Sequence, residues 1–176
     1  MTTSAILVPD QGFLTSSVWA GQHVRRGVAQ RERIEASMMP VHSFEFDLAG
    51  RIVTVEITGE EPNWLYRILN DIRTFASLPV GWDSYDGEPV TFAAAFAALK
   101  FLERMLSSDS PTPSVVPTSS GGLQFEWHRS VGDLEVYFSR DGRVSASYVS
   151  ASGDESWEME AEKMDSERLH GVVTRL

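Results

Sequence analysis

Alternating apolar and polar positions predict a β-hairpin over residues 42–58. Phe44 and Phe46 alternate with polar residues, and the alternation resumes after an Ala-Gly pair at 49–50. Successive side chains of a strand point to opposite faces, so a period of two places one set on a core and the other in water.

Apolar residues at helical spacing predict two helices. The first follows Pro62, which is favoured at a helix start because its missing N–H costs nothing there, and it ends before Pro79. The second runs from about Thr91 to Leu106 and is rich in alanine, which has the highest helix propensity. Its expected apolar stripe consists of Phe92, Ala95, Phe96, Leu99, Leu102 and Leu106.

Three more strands are predicted between residues 123 and 150. Asp141-Gly142, between the last two, predicts a hairpin with a type I′ turn, because that turn requires positive φ. The expected fold class is therefore α+β, with two helices packed on an antiparallel sheet of about five strands. The hairpin 42–58 precedes the three-stranded meander 123–150, and a shared apolar side favours one sheet over two.

The chain divides into three parts on this interpretation. Residues 1–40 are expected to form a flexible, irregular N-terminal arm, 41–152 the α+β core domain, and 153–176 an acidic tail. A short helix is an option within the tail, where Trp157, Ala161 and Met164 fall at helical spacing.

The N-terminal arm leaves two further options open. A short helix over 29–39 is one. A translation start at Met38 or Met39 is the other, in which case residues 1–37 would not be translated.

Composition narrows the functional classes. The 176 residues include no cysteine, which excludes disulfides and thiolate chemistry and suits a reducing cytoplasm. The sequence shows no signal-peptide pattern and no apolar run of membrane-spanning length, so we expect a soluble, cytoplasmic protein without membrane contact. A net charge of −10 disfavours direct nucleic-acid binding and attracts a basic protein partner, although acidity also simply maintains solubility.

The most distinctive segment is the loop 79–89, which contains Trp82, Asp83, Tyr85 and Asp86. One interpretation is a recognition loop, since Trp and Tyr are preferred interface anchors. The other is structural: Trp82 fills the core between the two helices, while Asp83 or Asp86 accepts hydrogen bonds from the loop backbone. A further option is a Mg²⁺ or Ca²⁺ site at Asp83, Asp86 and Glu88, although these acids do not fit the spacing of an EF-hand. No metal site and no cofactor are assigned.

A second candidate surface lies on the predicted meander. Glu126, His128, Glu135 and Tyr137 share one face by alternation, and a Glu–His pair can perform general acid–base chemistry. The more common alternative is the solvated side of an antiparallel sheet. The sequence contains no nucleophile elbow, phosphate-binding glycine motif or HExxH spacing, so no catalytic residue is assigned and catalysis is not favoured.

Two segments carry a resemblance to a known group. Leu78-Pro-Val-Gly-Trp-Asp-Ser-Tyr-Asp-Gly-Glu-Pro and Pro117-Thr-Ser-Ser-Gly-Gly-Leu-Gln-Phe-Glu-Trp-His resemble small uncharacterised bacterial proteins with an LPxGWDGYGAxP loop followed by a PxxGGLQLEW strand. The resemblance covers roughly residues 62–150, and this chain departs from it with Ser84 in place of Gly and Asp86-Gly87 in place of Gly-Ala. It implies a shared fold core and no particular activity.

Three functional hypotheses follow. The first is a non-enzymatic protein-binding or accessory module that neutralises a basic partner, as in a bacterial defence or toxin–antitoxin-like setting. It would act through the loop residues Trp82, Asp83, Tyr85 and Asp86, through the meander face, or through the acidic tail. The alternatives are a small hydrolase with an acidic/His site, and a structural subunit of an oligomer or phage-like particle. The sequence leaves the partner and the oligomeric state open.

Overall fold

A computed structural model describes residues 4–9, 40–160 and 165–176 of the chain. Three helices and eight strands lie in these ranges. Their bounds, in chain order, are β1 (Ser4–Pro9), β2 (Val41–Leu48), β3 (Arg51–Thr58), α1 (Leu65–Ala76), α2 (Phe92–Met105), β4 (Ser114–Pro117), β5 (Leu123–Arg129), β6 (Gly132–Phe138), β7 (Val144–Ser150), β8 (Ser156–Glu160) and α3 (Ser166–Arg175). None of these helices has both the length and the apolar character needed to cross a membrane.

The strands form two antiparallel sheets rather than one. A three-stranded sheet has the order β1-β3-β2, and a five-stranded sheet runs β4-β5-β6-β7-β8 in sequence order. The α+β class is therefore confirmed, whereas the expected single sheet of about five strands is wrong.

The second helix explains why two sheets form. Besides the predicted stripe, α2 buries a second row at Ala94, Ala98, Phe101 and Met105, so it is apolar on two sides. A helix with two apolar sides can pack against a sheet on each side, whereas a helix with a single apolar stripe packs against only one.

Contacts on the two sides of α2 reach different sheets. The ring of Phe101 packs edge-on against Phe138 of β6, with ring centroids 5.5 Å apart. Leu99 and Leu102 instead line a small apolar cavity of about 30 Å³ together with Val55 and Ile57 of β3. The buried residues of both sheets and all three helices consequently form one hydrophobic cluster.

Both ends of the chain contribute elements that the sequence did not predict. Ser4–Pro9 pairs antiparallel with β3, so this part of the expected irregular arm is a strand. The option of a helix over 29–39 lies outside the described residues.

The expected acidic tail begins with a strand. Trp157 lies in β8, which pairs with β7, so its predicted place on a helix is wrong. The helix comes later, as α3, and its residues Leu169, Val172 and Val173 are buried in the common cluster.

The hairpins β2–β3 and β6–β7 use different turns. Ala49 and Gly50 between β2 and β3 both have positive φ, at 51° and 79°, as a type I′ turn requires. At Asp141-Gly142 the hairpin is confirmed but the turn type is not. Only Gly142 has positive φ, and its N–H donates to the carbonyl of Ser139, which closes a three-residue loop.

The left-handed backbone at Ala49 predicts that glycine stabilises the protein there. Ala49→Gly should raise the free energy of unfolding by about 1 kcal/mol, because a Cβ is strained at this φ. The matched control is Ala93→Gly on the exposed side of α2, which should lower it by about 1 kcal/mol. Urea denaturation measures the free energy of unfolding of both variants. A change of the same sign in the two variants would contradict the turn assignment.

Candidate functional site

The outer side of the five-stranded sheet carries a continuous polar surface, here called the acidic face. Its positions alternate with the buried ones along each strand, and every one of them is half-buried or exposed. In strand order they are Ser114, Val116, Gln124, Glu126, His128, Asp133, Glu135, Tyr137, Ser145, Ser147, Val149, Ser156, Glu158 and Glu160. They include several carboxylates and one histidine but no lysine or arginine.

Three glutamates lie in one row that runs across the strands of the acidic face. Glu126 of β5 lies directly opposite Glu135 of β6, and Glu135 is opposite Ser147, which is in turn opposite Glu158 of β8. Like charges directly opposite each other destabilise a sheet. One compensating contact is the hydrogen bond that the Gln124 side-chain amide donates to Glu135, at 3.0 Å.

His128 connects two carboxylates at one end of the face. Its Nδ1 lies 2.9 Å from Asp133 Oδ1 and its Nε2 lies 3.3 Å from Glu126 Oε2. The hydrogen bond to Asp133, followed by that to Glu126, raises the pKa of His128 above its ordinary value of 6.5, although slight desolvation opposes the shift. Only the protonated imidazolium can donate from both nitrogens, so the cluster is best satisfied with a positive charge on His128.

A shallow cavity of about 260 Å³ lies beyond this cluster, towards β8. Glu135, Glu158 and Glu160 line it together with the ring of Tyr137. A concave site that combines carboxylates with an aromatic ring has the chemistry to hold a long cationic side chain.

The loop 79–89 is organised around Asp83. Its Oδ1 accepts hydrogen bonds from the N–H groups of Tyr85 and Gly87, each at 3.0 Å. A Cβ at Gly87 would lie within 2.9 Å of the same carboxylate, so this closure requires glycine. Of the two acids proposed for the Asx turn, the structure thus selects Asp83.

Trp82 does not fill the core, and that part of the structural interpretation is wrong. Its side chain is half-buried and lies outside the hydrophobic cluster. The indole N–H instead donates to the carbonyl of Glu88 at 3.0 Å, which closes the loop on itself. Val90, not Trp82, is the residue of this region that enters the core.

Ser84 and Tyr85 occupy the outer part of the loop. Ser84 has a φ of 72°, a conformation that favours the glycine expected there from the resemblance. Tyr85 is 85% exposed, which leaves its ring free to contact another molecule.

Backbone hydrogen bonds join the loop to the segment 118–122, which precedes β5. Glu88 N–H donates to the carbonyl of Ser119 at 2.8 Å, and Thr91 N–H donates to that of Gly121 at 3.0 Å. Ser120 in the same segment lies 3.4 Å from the Tyr137 hydroxyl, at the edge of the acidic face. The two segments that carry the resemblance therefore touch each other.

The candidate residues fall into two groups. Glu126, His128 and Glu135 lie together as predicted, with Tyr137 on the same face but outside the histidine cluster. The loop residues Trp82, Asp83, Tyr85 and Asp86 form a separate group, and backbone hydrogen bonds at Glu88 and Thr91 join this part of the chain to the segment before β5.

Several residues of the acidic face were missed by the sequence interpretation. Glu158 and Glu160 were assigned to a tail, although Trp157 and Met159 alternate with them at the period of a strand. Asp133 was missed because it stands near the β5–β6 turn, where pairing register rather than sequence spacing brings it beside His128.

This arrangement does not favour catalysis. Both nitrogens of His128 are engaged by carboxylates, which leaves none to act as a general base. The cavity on the face is lined by no residue of the loop 79–89, so it does not join the two groups of candidate residues. Within the described ranges, no group of His, Asp and Glu has the geometry to hold a metal ion.

Comparison with known proteins offers no relative from which a function could be transferred. No protein-family model, no curated protein and no solved structure matches this chain. The functional argument therefore depends on the geometry and charge of the acidic face and the loop.

The hydrogen bonds of Asp83 predict a clear stability difference between two neighbouring acids. Asp83→Ala should lower the free energy of unfolding by about 1–2 kcal/mol, because two loop N–H groups lose their acceptor. Asp86→Ala removes an exposed carboxylate and should change it by less than about 0.5 kcal/mol. Thermal or urea denaturation distinguishes the two, and similar losses would argue against the Asx turn.

The position of His128 predicts a pH dependence. Asp133→Asn should lower the pKa of His128 towards 6.5, as measured by NMR titration of the ring, whereas Asp141→Asn in the β6–β7 hairpin should not. Because the pKa of His128 is raised in the folded state, protonated His128 contributes to the free energy of unfolding. This contribution is fully present below pH 6.5 and is lost as the pH rises through the folded-state pKa. Wild type and Asp133→Asn should thus differ more in stability at about pH 6 than at about pH 9. An unshifted titration in Asp133→Asn would show that the bridge does not form.

Proposed function

We propose that this protein is a non-enzymatic binding module that engages a basic protein partner through its acidic face. The observation that carries the proposal is the set of carboxylates on one sheet surface without any lysine or arginine among them. Such a surface attracts a cationic partner over a distance of about 8–10 Å at physiological salt and selects against anionic ones.

The energetics of the face support a role other than stability. Glu126 and Glu135 lie directly opposite each other, a placement that costs folding free energy. Proteins depart from such local rules most often at functional sites. A partner that places a cation between these two carboxylates would remove the repulsion and so gain binding free energy.

The cavity at Glu135, Glu158 and Glu160 supplies a place for an anchoring side chain. An arginine or lysine inserted there would meet three carboxylates and the face of Tyr137. Arginine is favoured because its planar guanidinium pairs with carboxylates bidentately and stacks on aromatic rings.

Tyr85 extends the proposed surface beyond the sheet. It is the most exposed aromatic residue at the tip of the loop 79–89, which is fastened beside Tyr137 through Ser120. An exposed tyrosine is a preferred anchor residue in protein interfaces. Neutralisation of a basic partner in a bacterial defence or toxin–antitoxin-like setting is the biological role that this chemistry suits best.

Charge removal on the face tests the proposal. The triple variant Glu126→Gln, Glu135→Gln, Glu158→Gln should weaken binding of a fluorescent arginine-rich peptide by at least about tenfold at low salt, because each close ion pair contributes about 0.5–1 kcal/mol. At about pH 9, where protonated His128 no longer contributes, the same variant should be about as stable as wild type, since removal of the like-charge pair offsets the weaker hydrogen bond from Gln124.

The control carries the same change in net charge at other positions. Glu60, Asp109 and Asp154 are exposed acids outside the acidic face, and the triple variant Glu60→Gln, Asp109→Asn, Asp154→Asn should leave peptide binding within about twofold. With both proteins as bait in native lysate, a stoichiometric basic partner should bind the control and not the face variant. Equal weakening by the two triple variants would show that only net charge matters and would refute the proposal.

A further inference from the structure

The outermost strand of the three-stranded sheet borders a groove. β2 stands at the end of the order β1-β3-β2 and, in the described part of the chain, pairs only with β3. A cavity of about 340 Å³ lies between this strand and α1. From β2 it is lined by Ser43, Phe44, Glu45 and Phe46, and from α1 by Tyr66, Leu69, Asn70 and Arg73.

The hydrogen-bond register shows which backbone groups of β2 face outward. Gly59 N–H donates to Pro40 O at 2.9 Å, so this pair is a hydrogen-bonded one, and such pairs alternate along an antiparallel ladder. His42, Phe44 and their even-numbered neighbours therefore bond to β3. Val41, Ser43, Glu45 and Asp47 direct their N–H and C=O groups away from β3, towards the open edge.

Side chains divide the edge into an apolar and an acidic side. Phe44 and Phe46 are half-buried and pack with Leu69 towards α1, which gives the groove an apolar floor. On the opposite side of the sheet, Glu45 and Asp47 are exposed.

Tyr66 of α1, which is 70% exposed, lies at the helical side of the groove. An open strand edge beside an apolar groove is the arrangement by which proteins bind extended peptides as an added strand.

We infer that the groove between β2 and α1 binds an extended segment of a partner protein, with apolar and basic residues in alternation, as a fourth strand of the sheet. Apolar side chains of that segment face Phe44, Phe46 and Leu69. Its basic side chains lie on the other side, next to Glu45 and Asp47, because Arg73 on the groove rim repels them from the apolar side.

Charge argues against a second copy of this chain as the occupant. Antiparallel pairing of two β2 edges would bring Glu45 and Asp47 of both copies together, in a protein of net charge −10. The proposal does not depend on the acidic face, since that surface belongs to the other sheet.

The test uses the full-length protein and a synthetic peptide of alternating valine and lysine. Amide hydrogen exchange at Ser43 and Glu45 should slow at least about tenfold on binding, whereas Phe44 and Phe46, already bonded to β3, should change little. A valine–glutamate peptide should not bind, nor should one with the valines and lysines in separate blocks.

Two substitutions at one position separate the backbone from the side chain. Ser43→Pro removes an outward N–H that β3 does not use, so the fold is retained and peptide affinity should fall about tenfold. Ser43→Ala keeps that N–H and should bind like wild type.

Three results would overturn the inference. Slow amide exchange at Ser43 and Glu45 in the unliganded protein would mean that the β2 edge is already covered. The cover is a second copy if the exchange rate depends on protein concentration, and another part of the chain if it does not. Peptide binding without protection of these amides, or binding abolished by the Glu126, Glu135 and Glu158 triple variant, would place the peptide on the acidic face instead. The absence of any peptide binding would also refute the inference.

Discussion

The packing of α2 between two sheets is the constraint on which the rest of the structure depends. Three of its buried residues, Ala94, Ala95 and Ala98, are alanines, and small side chains allow neighbouring layers to approach the helix closely on more than one side. Phe101 then fills the space towards the five-stranded sheet, and Leu99 packs towards the three-stranded one. Since interiors are packed as densely as organic crystals, this division of large and small residues fixes where each sheet can lie.

Within the described residues, the inner faces of both sheets are covered, which leaves their outer faces and the outer edge of β2 as candidate binding surfaces. The larger sheet presents carboxylates across β5, β6 and β8, and the smaller one presents Glu45 and Asp47 beside an apolar groove. If both proposals hold, the two surfaces bind cationic groups for the same electrostatic reason. The acidic face then binds through charge alone, and the groove also binds through the backbone of an added strand. A partner with a basic surface and an extended basic segment could use the two surfaces together.

The loop 79–89 stabilises this arrangement in addition to any role in recognition. Asp83 satisfies two N–H groups of the loop, and the backbone of Glu88 and Thr91 bonds to the segment before β5. Glycine is required at Gly87 because a side chain would collide with Asp83, and it is favoured at Gly121 because the φ there is +82°. The tryptophan-containing motif is thus explained largely by local hydrogen bonding, while the exposure of Tyr85 is not needed for the fold and remains available for contact.

The sequence by itself determined those features that depend on local periodicity and turn chemistry. They include the β2–β3 hairpin, both central helices, the meander from β5 to β7, and the shared face of Glu126, His128 and Glu135. Only the tertiary structure decided the number of sheets, the strand β8 and the burial of Leu169, because these depend on which surfaces meet and not on spacing along the chain. The bridge from His128 to Asp133 was likewise unpredictable, since pairing register brings those side chains together, and register is fixed by packing of the whole sheet.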